Sequence, residues 1–167
     1  FKDCVANVSD FIDEQNYFER KLADFMGWKF VEDQKKGSSY DCITSNGQKV
    51  EIKMDWGSKT TGNHYLEFSQ KSASSSEWVP SGFTLSKKSS DYWIVLNNDF
   101  MYITKTNEIE RMIQEKKESF KITTTRPGIN NNPEGQHSKA YLVPLTILEE
   151  YAVGKIKSPV QNPKEYK

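Results

Sequence analysis

Two short apolar segments joined by a tight turn constrain the fold of this chain more than any other feature. Residues 40–43 and 50–54 have the composition of strands, and Ser-Asn-Gly at 45–47 stands between them. Asp41 lies inside the first segment, and Glu51 and Lys53 lie inside the second. Charged side chains in the middle of a strand pair cost free energy unless a partner holds them. The sequence therefore predicts a hairpin whose carboxylates have a partner, and a divalent cation is one such partner.

The length of the turn decides whether the two carboxylates meet. With a two-residue Asn-Gly turn, Asp41 would face Ile52 and point away from Glu51, because side chains alternate along a strand. A three-residue loop with Gly47 in the left-handed conformation places Asp41 opposite Glu51 instead. This second register also separates apolar from charged side chains, with Ile43 as the exception. We therefore predict the three-residue loop, or a bulge with the same effect.

The composition is that of a folded domain without excess charge. The chain has 167 residues, 35% of them hydrophobic and 13% aromatic, which fits one domain with a sizeable core. We assign residues 1–154 to this domain and 155–167 to a basic, flexible tail. The 23 basic and 23 acidic residues balance. A nucleic-acid binder of this composition would have to cluster its basic residues, because phosphate contacts need local positive charge.

The two cysteines and the absence of long apolar runs bear on the compartment. Cys4 and Cys42 do not make a disulfide framework, and Cys42 falls on the apolar face of the hairpin, where a buried free thiol is expected. No apolar run is long enough to span a membrane, and no secretory signal is visible. A cytoplasmic, reducing compartment is the expectation.

Caps and periodicity predict the remaining elements. Ser9 and Gly27 bound a helix over 10–26, with Phe11, Phe18 and Phe25 on its apolar face. A capping box at 107–110 opens a second helix to about 118, and Pro144 opens a third. Further strands are expected at 28–31, 64–68, 91–96, 100–104 and 140–143, with loops at 70–82 and 126–135. This order predicts an α/β or α+β fold with a mixed central sheet flanked by helices.

The Asp-x9-Glu-x-Lys spacing and this element order resemble the PD-(D/E)xK nuclease superfamily, which has the restriction-endonuclease-like fold. The stretches 62–68, 82–83 and 90–93 are similar to small phage-type members, and the resemblance runs from about Phe11 to about Ile113. One departure is Tyr40, which stands where the signature has proline. The resemblance implies a restriction-endonuclease-like core that cleaves nucleic acid.

By this resemblance, Asp41 and Glu51 bind Mg²⁺, with Mn²⁺ as a substitute, and the Ile52 carbonyl is a further oxygen ligand. Lys53 is expected to orient the attacking water and to stabilise developing negative charge. Glu19 is a candidate fourth residue from the first helix, and its alternative is a helix-surface glutamate. Taken singly, Asp41 is also interpretable as a turn residue, and Glu51 with Lys53 as an ordinary solvated strand face.

Three other polar residues near the motif have two interpretations each. Glu67 is a second acidic candidate for the site, and an edge-strand charge is its alternative. Asp55 shares the face of Lys53 but is interpreted as the end of the strand. His64 is interpreted as a structural hydrogen-bonding residue near the site, and the histidine spacing does not predict a zinc site.

Nucleic-acid contacts are predicted from loop lysines and two tryptophans. Trp56 and Trp78 have the context for stacking on bases, and their alternative role is to close the edge of a core. The lysines expected to contact phosphates are Lys35, Lys36, Lys59, Lys71, Lys87 and Lys88.

The leading functional interpretation is an Mg²⁺-dependent deoxyribonuclease of a bacterial or phage-infected cell. The first alternative is a structure-selective nuclease similar to a junction resolvase, which would act as a homodimer. The second is a catalytically silent nuclease-like fold that binds DNA or a protein partner.

Overall fold

The computed structural model describes residues 8–32, 40–72, 74–125 and 137–164, with side chains from residue 14 onward. The helices are α1 (Val8–Met26), α2 (Ser58–Thr61), α3 (Phe83–Ser86), α4 (Thr106–Lys116) and α5 (Leu145–Tyr151), and a 3₁₀ turn covers Lys117–Ser119. The strands are β1 (Lys29–Phe30), β2 (Cys42–Ile43), β3 (Lys49–Met54), β4 (Asn63–Lys71), β5 (Val79–Pro80), β6 (Tyr92–Leu96), β7 (Phe100–Lys105), β8 (Lys121–Thr124), β9 (His137–Pro144) and β10 (Gly154–Lys157).

The strands form two sheets. The larger sheet has six strands in the order β1-β2-β3-β6-β7-β10, and only its β3–β6 pair is parallel. The smaller sheet is antiparallel, in the order β5-β4-β9-β8. The prediction of a mixed central sheet flanked by helices is confirmed. The second sheet was not predicted, because the alternation of residues within a strand does not show which strand it pairs with.

The hairpin has the predicted register. Cys42 pairs with Val50 and Ile43 with Lys49, and the Asp41 N–H donates to the Val50 carbonyl at 2.7 Å. The loop has three residues, and Gly47 adopts φ +80°, a left-handed conformation that glycine reaches without steric cost. Cys42 and Val50 are both fully buried. The apolar pattern therefore selected the correct register.

Helix α1 packs one face on the larger sheet and ends at Met26 as predicted, with Gly27 in a left-handed conformation, but its start differs from the prediction. It begins at Val8, so Ser9 lies inside the helix and does not cap it, and the side chain of Phe11 is outside the described residues. Phe18 is buried as predicted, whereas Phe25 is 65% exposed, and its prediction as a core residue is wrong.

The exposure of Phe25 follows from the way the helix ends. The chain reverses at Gly27, and the Trp28 N–H donates to the Ala23 carbonyl. Ala23 is buried, and Met26 and Trp28 pack against the same core. Over its last turn the helix therefore contacts the core through Ala23 and Met26, and Phe25 faces outward.

The two faces of the larger sheet carry separate cores. Successive residues of β6 point to opposite faces, so Trp93 and Val95 join the core between the two sheets, whereas Ile94 and Leu96 join the core under α1. All four are buried, as expected of a strand with neighbours on both sides and layers on both faces.

Several elements beyond residue 78 differ from the prediction. Helix α4 begins at Thr106 without a side-chain cap, so Asn107 lies in its first turn and the capping box does not form. Strand β8 was missed, and β5 lies inside a segment predicted as loop. The predicted flexible tail contains β10, which pairs with β7, and Val160 beyond it is buried in the core under α1. The pairing of β10 with β7 and the burial of Val160 attach this polar segment to the larger sheet.

Candidate functional site

Four charged side chains from three elements converge beside the hairpin. Glu19 comes from α1, Asp41 immediately precedes β2, and Glu51 and Lys53 lie on β3. The three carboxylic acids are 2%, 6% and 6% exposed. Electrostatic interactions connect Glu19 with each of the other three groups. The structure therefore brings together the residues that the sequence singled out.

The hairpin orients Asp41 and Glu51 through short hydrogen bonds. The Ile52 N–H donates to Asp41 Oδ2 at 2.7 Å, and Lys53 Nζ donates to Glu51 Oε1 at 2.5 Å. Burial lowers the pKa of Lys53, but Glu51 and Asp41 outweigh it and hold that pKa above its ordinary value. Lys53 is therefore a cation at neutral pH and is suited to stabilising negative charge rather than to acting as a base.

Glu19 is an internal residue of the cluster. Burial, followed by the nearby charge of Asp41, raises the pKa of Glu19 from 4.5 to about 8, although Gln15 and Lys53 act in the opposite direction. Gln15 Nε2 donates to Glu19 Oε1 at 2.7 Å. The alternative of a helix-surface glutamate is therefore wrong. At neutral pH the Glu19 carboxyl keeps its proton, since a third buried negative charge is unfavourable there.

The thiol of Cys42 lies behind the cluster and is inert. It is fully buried, as predicted. Burial, with the charges of Asp41 and Glu19, raises the pKa of Cys42 to about 12. The thiol is therefore neutral and acts as a small apolar residue of the core.

A cleft of about 400 Å³ opens at the exposed end of Lys53. It lies between α1, the end of β3, β4 and the turn before α3. Its walls are Glu14, Gln15, Phe18, Lys53, Met54, Asp55, Trp56, Gly57, His64, Tyr65, Glu67, Gly82 and Trp93.

One wall of the cleft is a chain of buried polar groups. Trp93 Nε1 donates to His64 Nε2 at 3.2 Å, and His64 Nδ1 lies 2.7 Å from Asp55 Oδ2. Burial raises the pKa of Asp55, but hydrogen bonds from His64 and from the Tyr65 N–H outweigh it, and that pKa lies below its ordinary value. The structural role expected of His64 is confirmed. Asp55 directly follows the last residue of β3, as predicted, and its carboxylate also forms the hydrogen bond with His64.

Sequence reasoning missed the part that Trp93 plays in this wall. The parallel pairing of β3 with β6 places Trp93 next to Glu51. The two residues are 42 positions apart, and nothing in the local pattern of either strand shows that they are neighbours.

Glu67 lies at the rim of the cleft. Strand β4 pairs with β9 along its length but with β5 only at Ser69 and Gln70, so Glu67 has its strand partner on the β9 side, which agrees with the edge-strand interpretation. Ser81 Oγ donates to Glu67 Oε1 at 2.7 Å. Gly82 has φ +51°, and a Cβ at this position would lie 2.5 Å from the Glu67 carbonyl oxygen. The turn that positions Glu67 therefore requires glycine.

The donor set of the cluster fits a hard divalent cation. Carboxylate oxygens are the ligands that Mg²⁺ prefers, and the three carboxyl groups of the cluster are buried beside a single ammonium, that of Lys53. Among the described residues, however, no three His, Cys, Asp or Glu side chains lie close enough together to hold a metal ion as they stand.

Two of the lysines predicted to contact nucleic acid are held in exposed ion pairs. Lys59 Nζ lies 2.9 Å from Asp99, and Lys87 Nζ lies 3.0 Å from Glu110. Lys88 is exposed. Lys35 and Lys36 lie outside the described residues.

The two tryptophans predicted to stack on bases have different surroundings. Trp56 packs edge-on against Phe18 with ring centroids 5.0 Å apart, which matches its alternative role at a core edge. Trp78 lies beside the ammonium groups of Lys71 and Lys139, at 5.2 and 4.0 Å from its ring centroid.

Comparison with known proteins gives one structural likeness. No protein-family model matches this chain. No curated protein matches it either. A solved bacterial homing endonuclease superposes with a TM-score of 0.39 and 22% identity, over 57% of this chain and 66% of the other. The match thus spans slightly less than two thirds of that endonuclease. Across the part of the chain that the structure describes, no helix is both long and apolar enough to cross a membrane.

Proposed function

We propose that this chain is a metal-dependent nuclease that hydrolyses DNA phosphodiester bonds. In this proposal Asp41, Glu51 and Glu19 hold Mg²⁺, or Mn²⁺ in its place, and Lys53 acts on the attacking water. The observation that carries the proposal is the gathering of three buried carboxyl groups around one ammonium. Such a cluster is costly as a purely structural feature, because Glu19 must stay protonated to tolerate it. A divalent cation removes that cost.

The chain's own groups have distinct parts in this chemistry. When bound, Mg²⁺ lowers the pKa of water and neutralises charge on the phosphate. The Ile52 N–H fixes the orientation of Asp41, and the Ile52 carbonyl is the further oxygen ligand that we propose. Lys53 keeps its proton at neutral pH, so it donates hydrogen bonds to the attacking water and to a phosphate oxygen.

The surroundings of the cleft are compatible with a polyanionic substrate. Lys59 lies on α2, next to the cleft residues Trp56 and Gly57. Its ion pair with Asp99 is 50% and 46% exposed, and pairs of this kind contribute little free energy. Exchanging Asp99 for a DNA phosphate therefore costs little, and each such contact adds to the salt dependence of binding.

Cleavage of a substrate panel tests the proposal. The panel holds linear duplex, single-stranded, nicked and branched DNA and RNA, each with Mg²⁺, Mn²⁺ or EDTA. We expect metal-dependent cutting of DNA that falls at least about 100-fold in Glu51→Gln and in Lys53→Met. Exposed positions provide the matched controls Glu150→Gln and Lys117→Met, which should cut like the wild type.

Two results would contradict the proposal. Cutting that persists in EDTA, or in both site variants, would place the activity elsewhere. No cutting of any substrate, with thermal stability unchanged by metal, would favour a binding protein on this fold, because an ion that binds the folded state raises its stability.

A further inference from the structure

Lys53 has a second neighbour besides Glu51. Its Nζ lies 5.2 Å from the centroid of the Trp93 ring, whereas Glu51 Oε1 is 2.5 Å away. The parallel register of β3 and β6 pairs Glu51 with Trp93, which puts the ring beside both side chains. An ammonium near an aromatic ring is attracted by the ring's quadrupole, and more strongly where water is excluded. Trp93 is only 1% exposed.

The Trp93 ring is held in one orientation by directed hydrogen bonds. An indole N–H can only donate, so His64 Nε2 must accept from Trp93 at 3.2 Å. The proton of His64 then lies on Nδ1, which donates to Asp55 Oδ2 at 2.7 Å. His64 is 1% exposed, so water does not compete for these bonds.

Asp55, at the far end of this series of hydrogen bonds, is fixed as well. Asp55 Oδ2 also accepts from the Tyr65 N–H at 2.9 Å, which ties it to the smaller sheet. Phe83 packs edge-on against the Trp93 ring with centroids 5.3 Å apart. A tryptophan that served only the core would need only this packing. The complete set of hydrogen bonds gives Trp93 a fixed direction relative to Lys53.

The need for such a support follows from the two roles of Glu51. A carboxylate that turns to a metal ion no longer holds Lys53 as it does here, and a lysine with four rotatable bonds then has other rotamers open to it. We propose that Trp93, held by His64 and Asp55, is a positioning residue that keeps the Lys53 ammonium at the site when Glu51 binds a metal ion. The inference rests on the proposed function for its metal ion.

Nuclear magnetic resonance of Lys53 detects its contact with the Trp93 ring directly. Protons near the face of an indole ring resonate upfield, so the ε-methylene signal of Lys53, assigned by its loss in Lys53→Gln, should lie upfield of other lysines. It should stay upfield when Mg²⁺ is added. In Trp93→Leu the signal should move to the ordinary lysine position. Phe120→Leu is the matched control, because it removes a ring from the same core at a residue that packs against Tyr141.

Kinetics then separate positioning from folding. We expect kcat to fall about 10-fold in Trp93→Leu with KM unchanged, the size of effect expected when a desolvated cation–π contact is lost. Trp93→Phe, which keeps a ring, should recover part of the rate and part of the upfield shift. Phe120→Leu should leave kcat unchanged at a temperature where all variants are folded.

The outcomes are distinguishable from failure of the proposed function. An upfield Lys53 signal that persists with Mg²⁺, in a protein that cuts no substrate, supports the positioning role and contradicts the nuclease activity. The positioning role is overturned by an ordinary Lys53 signal in the wild type, by its return to the ordinary position on adding Mg²⁺, or by an equal effect of Phe120→Leu. It is also overturned if Mg²⁺ changes no resonance of the site.

Discussion

Replacing Glu19 by glutamine should change how the stability of this protein depends on pH. The pKa of Glu19 is about 8 in the folded protein against an ordinary value of 4.5. Between these values the folded protein binds more protons than the unfolded chain, so the contribution of Glu19 to stability is fully present below pH 4.5 and falls as pH rises through the window. Glutamine has the shape of the protonated acid and does not titrate.

The size of the effect follows from the shift. Each pKa unit corresponds to about 1.4 kcal/mol, and between pH 5.5 and 7 the linkage of Glu19 removes about 2 kcal/mol of stability from the wild type. Glu19→Gln should therefore gain about 2 kcal/mol relative to the wild type over this interval. For a domain of this length that equals about 4–8 °C in Tm.

Urea unfolding of both proteins across this pH range, without metal, measures the difference. Glu150→Gln, at an exposed position on α5, controls for the loss of one carboxyl group. Parallel curves for the wild type and Glu19→Gln would refute the reasoning, because they would show that Glu19 titrates alike in the folded and unfolded states.

Two further predictions concern the frame of the site. Gly82→Ala should destabilise the protein by about 2–4 kcal/mol in urea unfolding, because the new Cβ would meet the Glu67 carbonyl oxygen and the residue has a positive φ. Gly57 has open space around it, so Gly57→Ala should change the stability by less than about 0.5 kcal/mol. Val160→Ala should lower the stability by about 1–2 kcal/mol in the same assay, because Val160 is buried in the core under α1. Val153 is exposed, so Val153→Ala should change the stability very little. Equal effects of the two substitutions would show that the C-terminal segment does not pack in the core.

The hairpin was predictable because its determinants are local. The alternation of apolar and charged residues and the conformation that Gly47 must adopt lie within one short stretch of chain. A shift of one residue would have turned Cys42 and Val50 away from the core, so the pattern allowed one register. The same reasoning could place Asp41 opposite Glu51 without any knowledge of the rest of the fold.

The remaining parts of the site depend on contacts that no local pattern encodes. The burial of Glu19 comes from the packing of α1 against the larger sheet, and helical periodicity put it only at the margin of the apolar face. Trp93 reaches the site through a parallel pair that joins distant segments. Strand β10 was missed because Lys155 and Lys157 make it look like a tail, although lysines are common on edge strands, where they discourage aggregation.

Calorimetric titration of Mn²⁺ at pH 7, in two buffers with different ionisation heats, tests the central claim most directly. Ligands must lose their protons to bind a metal, so the wild type should bind one ion and release close to one proton, which comes from Glu19. Asp41→Asn should abolish binding, and Glu19→Gln should bind more weakly without proton release. Absence of binding in the wild type, or binding that Asp41→Asn leaves unchanged, would contradict the assignment of a metal ion to this cluster.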